Sequence, residues 1–171
     1  MLVVIQARSS SKRFKNKVLF SIYGTPLISH VINKVKKSKN KFNLIVSTSK
    51  NKSDDKLVKF LMLNKVNVYR GSLRNVALRL YNAAKKYNSN YFVRISGDSP
   101  LFDFRILDKA LSLKKKYKDF DIITNVFPRT FPKGQSVEII RTSILKKNLH
   151  KFNIQNKEHV TSYFYKNFKN F

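Results

Sequence analysis

An α/β fold of three layers, with a Rossmann-like, mostly parallel sheet covered by helices on both faces, is what this sequence predicts. Three observations carry that expectation. Short apolar runs alternate with amphipathic segments from the start of the chain to about Asn125. The stretches between successive runs are long enough for a helix and leave little room for hairpins, so neighbouring strands should be parallel with right-handed crossovers. The runs themselves, such as Leu2-Val-Val-Ile5 and Leu44-Ile-Val46, are continuously apolar, as strands buried on both faces are.

Residues 2–7 form the first expected strand, followed by a polar, basic loop. Thr25-Pro26 announces the first helix, with Thr25 as N-cap and Pro26 at the first helical position, where its missing N–H costs nothing. Residues 44–47 read as the next strand. Ser53, Asp54 and Asp55 start a helix over Leu57, Val58, Leu61 and Met62, and residues 66–69 are a short third strand. Residues 73–87 carry Val76, Leu80, Ala83, Ala84 and Tyr87 on one helical stripe. The strand at 91–95 comes next, then a helix capped by Asp103 with Ile106, Leu107, Ala110, Leu111 and Leu113 inward, then a fifth strand at 121–124. Residues 126–134, with Pro128, Pro132 and Gly134, are a loop. A strand at 137–140, a helix at 142–149 and a last helix at 158–168 complete the chain. Nothing reads as a linker or a repeat, so residues 1–171 are expected to form a single domain. The aromatics Tyr163, Phe164, Tyr165, Phe168 and Phe171 fit core packing or a subunit interface, and the expected assembly is a homodimer.

The chain has 171 residues, 42% of them hydrophobic, enough for one sizeable core. It has no cysteine, which excludes disulfides, thiolate catalysis and cysteine-ligated metal sites and fits a cytoplasmic protein. The amino terminus lacks a basic n-region, and no stretch approaches the length of a membrane span. The net charge of +27, from 36 Lys and Arg against 9 Asp and Glu, would attract any polyanion. Lys36-Lys37, Lys85-Lys86, Lys114-Lys115-Lys116 and Lys146-Lys147 fall toward predicted helix ends, where cations complement the helix dipole. That is the pattern of a solvated surface, from which incidental nucleic-acid binding is expected. A recognisable nucleic-acid module is missing, since no RNP-type aromatic strand or GXXG loop occurs.

Two segments carry the chemistry. Arg94-Ile-Ser-Gly-Asp-Ser-Pro-Leu-Phe-Asp103 ends a strand in a small-residue turn, which places Asp98 as a metal ligand; the same residues also make an ordinary turn. Gly97 beside it lets backbone approach an anionic substrate. The loop after the first strand sets Arg8, Ser11, Arg13 and Lys17 around Gln6-Ala7, either as a phosphate cradle or as a solvated basic loop. Gly-x-x-x-x-Gly-Lys and Gly-x-Gly-x-x-Gly are both absent. Arg129 can take a carboxylate bidentately or be a solvated loop arginine. His30 and His150 read as packing or surface residues, and His159, beside Glu158 at an expected helix start, either as another such residue or as a contact to an acceptor or to a second subunit.

The order of these pieces resembles the acylneuraminate cytidylyltransferase family of the nucleotide-diphospho-sugar transferase superfamily, nearest its spore coat polysaccharide biosynthesis protein F branch. The matching residues are Ile5-Gln-Ala-Arg8 with Ser11, Arg13, Lys17 and Leu19; Gly24-x-Pro26-Leu27; Arg70-Gly-Ser72 with Val76 and Arg79; and the Arg94 to Asp103 segment. Asn125, Pro128-Arg129-Thr130, Pro132, Gly134, Val137-Glu138 and Glu158-His159-Val160-Thr161 continue the match. The resemblance implies transfer of CMP from CTP to a sugar acid with release of pyrophosphate, in surface polysaccharide biosynthesis. It implies catalytic roles for Lys17, Arg13 and Asp98; nucleotide contacts from Ala7, Arg8, Ser11, Arg13, Lys17, Thr48, Arg70 and Gly97; acceptor contacts from Arg129, Glu138 and His159; and Mg²⁺ on Asp98. Members of the family continue past the Glu-His-Val-Thr segment to a final strand and helix that bring another metal carboxylate. This chain stops at Phe171, so it is expected to lack that strand and helix and to bind nucleotide while turning over poorly. The alternatives are a sugar-nucleotide-binding protein without catalysis and a basic protein that binds anions or nucleic acid.

Overall fold

The structure, a computed structural model, describes residues 1–10 and 14–171. The apolar run β1 (Leu2–Gln6) becomes the middle of a six-stranded sheet, because it can bury both of its faces. It pairs in parallel with β4 (Asn43–Ser49) on one side and with β6 (Tyr91–Ser96) on the other, and β5 (Asn67–Gly71) extends the parallel set beyond β4. On the other flank β8 (Glu138–Arg141) runs antiparallel to β6, and β7 (Ile122–Thr124) lies antiparallel outside it, giving the order β5-β4-β1-β6-β8-β7. The sheet is therefore mostly parallel, as expected. The strand expected at 137–140 is present one residue later, and its position inside the sheet rests on pairing with strands far away in sequence.

The period-2 alternation of β1 sorts the core into two layers. Val3 and Ile5 face α1 (Leu27–Lys36), α2 (Asp55–Leu63) and α4 (Phe104–Lys116), while Leu2 and Val4 face α3 (Val76–Lys86), α5 (Thr142–Asn148) and the carboxyl-terminal segment. Asp103 caps α4 as the sequence implies, accepting from the Arg105 N–H at 2.9 Å, and Asn75 caps α3 in the same way through the Leu78 N–H. The paired lysines sit in the last turns of α3, α4 and α5.

Two expectations are corrected. Thr25 and Pro26 do not start the helix: they form the short strand β3 (Thr25–Pro26), antiparallel to β2 (Ser21–Ile22), and α1 begins one residue later with Pro26 in the cap position. A two-residue hairpin is too short to leave an alternation that sequence could reveal. The single helix over 158–168 is two short ones, α6 (Ile154–Glu158) and α7 (Ser162–Lys166), with His159 at the end of the first. The break has a reason: Val160 is fully buried and Thr161 turns inward to bond Glu138, which one straight helix would not allow. Of the terminal aromatics, Phe164 is buried, Tyr163 packs against the second core layer, and Tyr165 stacks on Phe127 with centroids 5.2 Å apart. Phe168 and Phe171 stay partly exposed. Among the described residues no helix is long and apolar enough to cross a membrane.

Candidate active site at the carboxyl edge of the sheet

The parallel strands β1, β4 and β6 all end on one edge, and the chain leaves each of them into a loop that carries polar groups. In open α/β sheets ligands bind beyond that edge. There the structure forms a cleft of about 270 Å³ lined by Ala7, Arg8, Lys17, Arg94, Ser96, Asp98, Glu158 and His159. A second cleft of about 250 Å³ is lined by Arg129, Ser136, Glu138, Thr161 and Tyr165, and it shares Arg94, Ser96 and His159 with the first. The two are therefore adjoining compartments with a common wall.

Asp98 sits at the turn after β6. Its Oδ2 accepts from Lys17 Nζ at 2.7 Å and its Oδ1 from Ser96 Oγ at 2.7 Å. Partial burial alone would raise its pKa, but these hydrogen bonds and the Lys17 charge outweigh burial and hold the carboxyl below its ordinary value, so it is an anion at neutral pH. Among the described residues no group of three or more His, Cys, Asp or Glu is placed to hold a metal. One hard carboxylate oxygen donor in a cleft with room for phosphates still fits Mg²⁺, which takes few protein ligands when substrate oxygens and water fill the rest. Arg8 Nη2 donates to Glu158 Oε1 at 2.6 Å across the same cleft. Both mobile cations of the cleft are thus held by carboxylates in the free protein, and both pairs are about half exposed, where ion pairs are weak and exchangeable.

The other sequence candidates divide. Arg129, Glu138 and His159 come together in the second cleft. Ser11 and Arg13 lie outside the described residues. Thr48 is buried, and its hydroxyl donates to Asp54 at 2.9 Å, so it does not face the cleft. Arg70 is occupied with the Ser49 and Asn51 carbonyls and with Asp55 at 2.6 Å. Gly97 is required by packing: a Cβ there would lie 2.8 Å from the Ala7 Cβ and 2.9 Å from the Gln6 carbonyl oxygen. Its hydrogen is what allows the Gly97 N–H to reach that carbonyl at 2.8 Å and join the two strand ends.

The structure gives four residues roles beyond those the sequence implies. Asp54, expected as a helix-start residue, is fully buried and accepts from the Ser9 N–H at 2.6 Å, the Ser49 N–H at 3.0 Å and the hydroxyls of Thr48 and Ser49. It ties the start of the basic loop to the end of β4. Burial would raise its pKa, yet these donors pull it below the ordinary value. Its contribution to stability is therefore complete above the unfolded pKa of about 3.9 and is lost as pH falls through the lower folded value. Acid unfolding followed by circular dichroism is expected to show a steeper loss of stability below about pH 4 in the native chain than in Asp54→Asn, and parallel curves would contradict that role.

Glu138 is 3% exposed and accepts from Thr161 Oγ1 at 2.6 Å, from the Tyr165 hydroxyl and from Arg94 Nη1. Burial, with the Glu138 charge beside it, pushes the Tyr165 phenol well above its usual pKa. Arg94 Nε donates to Gln6 Oε1 at 2.9 Å. Arg79 is 1% exposed, with Nη1 on the Ser72 carbonyl at 2.7 Å and no partner for Nε or Nη2 among the described residues. Desolvation pulls its pKa down to about 10, opposed by the Asp54 charge. The available signal was scarcity: with 9 acidic residues in the chain, each carboxylate near a buried arginine is a specific partner.

Comparison with known proteins agrees with this geometry. The sequence matches the family described as cytidylyltransferase over residues 2–171. It is 36% identical to an uncharacterized protein of Methanocaldococcus jannaschii, over 96% of this chain and 66% of that protein. It is 28% identical to the spore coat polysaccharide biosynthesis protein SpsF of Bacillus subtilis, over 95% of this chain and 69% of that one. A 3-deoxy-manno-octulosonate cytidylyltransferase of Geotalea daltonii is 30% identical over 64% of this chain and 42% of its own length. The chain thus spans two thirds or less of the length of some of the curated relatives it matches. Among solved structures, a cytidylyltransferase from Leptospira borgpetersenii superposes with a TM-score of 0.93 at 33% identity, over 99% of this chain and 72% of that one. With its six-stranded, mostly parallel sheet and its match along nearly the whole sequence, the chain belongs to the cytidylyltransferase family of the nucleotide-diphospho-sugar transferase superfamily.

Proposed function

We propose that this chain transfers CMP from CTP to a sugar acid, with release of pyrophosphate, as a single cytidylyltransferase-like domain that works as a cytoplasmic homodimer in surface polysaccharide biosynthesis. The observation that carries the reading is the Lys17–Asp98 pair beside Arg8 in one cleft at the carboxyl edge of the sheet. Arg8 and Lys17, with Ser11 and Arg13 of the same loop, hold the triphosphate; a guanidinium fork fits phosphate oxygens and an ammonium can follow a departing pyrophosphate. Ala7 lines the cleft, Gly97 holds the ends of β1 and β6 together, and Thr48 and Arg70 act by fixing the end of β4. Asp98 would hold Mg²⁺, which when bound offsets charge on the phosphates. In the second cleft Arg129 takes the acceptor carboxylate, with His159 and Glu138 beside the sugar.

In the step itself an acceptor hydroxyl oxygen bonds to the α-phosphorus and the bond from that phosphorus to pyrophosphate breaks. Pyrophosphate leaves with the electron pair, and water takes the hydroxyl proton. Such a transfer depends on positioning and charge neutralisation more than on covalent help from protein. The +27 surface adds weak, salt-sensitive attraction for DNA and RNA as a by-product.

Thermal melts with CTP, UTP and ATP, each with Mg²⁺, test the nucleotide half of this reading. A ligand that binds only the folded state at about a hundred times its Kd adds roughly 2.7 kcal/mol. CTP is expected to raise Tm clearly more than UTP or ATP. Equal shifts for all three, or none, would remove the case for cytidine.

A further inference from the structure

Arg94 stands where the two clefts meet, and the reading above gives it no task. The register sets Arg94 opposite Glu138 and Ser96 opposite Gln6, so these four side chains share one face of the sheet. The guanidinium is pinned on two edges, Nε by Gln6 at 2.9 Å and Nη1 by Glu138, and among the described residues Nη2 donates to no protein acceptor. Glu138 is itself saturated by Thr161 and Tyr165, which fixes the carboxylate that fixes the arginine. An arginine serving only as a structural counter-ion would spend its fork bidentately on Glu138. Here it divides the fork between two partners and keeps one edge spare, on a side chain that is 20% exposed and lines both clefts.

We propose that Arg94 is a further catalytic residue, whose free Nη2 edge donates to a non-bridging oxygen of the α-phosphate while the acceptor hydroxyl attacks, with Gln6 and Glu138 as its positioning residues. This rests on the nucleotidyl-transfer reading. The phosphorus that changes partners must face nucleotide and acceptor at once, so it belongs at the shared wall of Arg94, Ser96 and His159. Of these three, only Arg94 carries a permanent positive charge. Arg8 and Lys17 line the first cleft alone, which suits the β- and γ-phosphates. As the oxygen–phosphorus bond forms and the bond to pyrophosphate breaks, charge on the α-phosphate oxygens is met by a donor already held in place.

Phosphorus NMR of CTP with Mg²⁺, bound to the native chain and to Arg94→Lys, reads this directly, with kcat and the CTP Kd measured on both. Lysine at 94 keeps a cation beside Glu138, so the fold survives, but it has no second edge to present. The variant is expected to lose the bound-state shift of the α-phosphorus while keeping those of the β- and γ-phosphorus. Its kcat should fall by about a hundredfold or more, with Kd changed less than about threefold. An α-phosphorus shift equal to that of the native chain, a kcat within threefold of native, or a loss of kcat matched by loss of CTP affinity would overturn the assignment. If the native chain shows no bound-state shift at all, the nucleotide reading fails and this assignment fails with it; native shifts that the variant reproduces sink the assignment alone.

Discussion

Asp98→Asn is expected to abolish the Mg²⁺-dependent part of CTP binding and to leave the fold intact. The amide keeps the size of the side chain and can still accept from Ser96, whose hydroxyl lies 2.7 Å away, but it loses the charge that a hard cation needs. Lys17 then loses its 2.7 Å partner, an exposed pair that contributes little to stability. Calorimetric titrations of CTP with and without Mg²⁺ should give one curve for the variant and two for the native chain. Turnover, where measurable, should drop by about a hundredfold to a thousandfold, equivalent to a few kcal/mol of transition-state stabilisation. An unchanged Mg²⁺ dependence would make Asp98 merely the turn residue that holds Lys17.

The largest expected effect on stability is at Glu138. Glu138→Ala removes the acceptor shared by Thr161, Tyr165 and Arg94, leaving the arginine charge without its carboxylate and the Thr161 hydroxyl without its acceptor, while Tyr165 keeps Thr124 at 2.9 Å. Breaking a buried pair from one side costs about 3–5 kcal/mol; Arg94 stays 20% exposed toward the clefts, so the loss should fall at the lower end, about 3 kcal/mol. Glu158→Ala is the control: its pair with Arg8 is half exposed, and its loss should cost no more than about 1 kcal/mol. Urea denaturation of the three proteins measures both. A Glu138→Ala loss no larger than that of Glu158→Ala would mean that the network around Arg94 is not rigid, and it would weaken the positioning role given to Glu138.

How far the molecule was legible in its sequence depends on the range over which each feature is decided. β1, β4, β6 and their covering helices are written in local periodicity, because burial of both sheet faces demands continuous apolar runs. The carboxyl edge could be located for the same reason, and with it Arg8, Lys17 and Asp98. What stayed hidden is set by pairing at long separation. β8 inserts antiparallel between β6 and β7 through pairings such as Arg94 with Glu138, 44 residues apart, which no local pattern announces. Thr48 and Arg70 follow the family pattern, yet they support the end of β4 instead of facing the cleft, a distinction only their partners Asp54 and Asp55 reveal. The break at His159 is likewise a tertiary decision, taken by the bond from Thr161 to Glu138.

The most direct measurement is pyrophosphate release by the native chain with CTP, Mg²⁺ and a panel of eight- and nine-carbon 3-deoxy-2-keto sugar acids. The account predicts release that requires both CTP and one of these acids, with the Arg129 cleft as the place where the carboxylate is read. It also predicts that Arg129→Ala raises KM for the acid and leaves the CTP Kd alone. CTP binding without release for any acid of the panel would contradict transfer and leave a nucleotide-binding protein in its place.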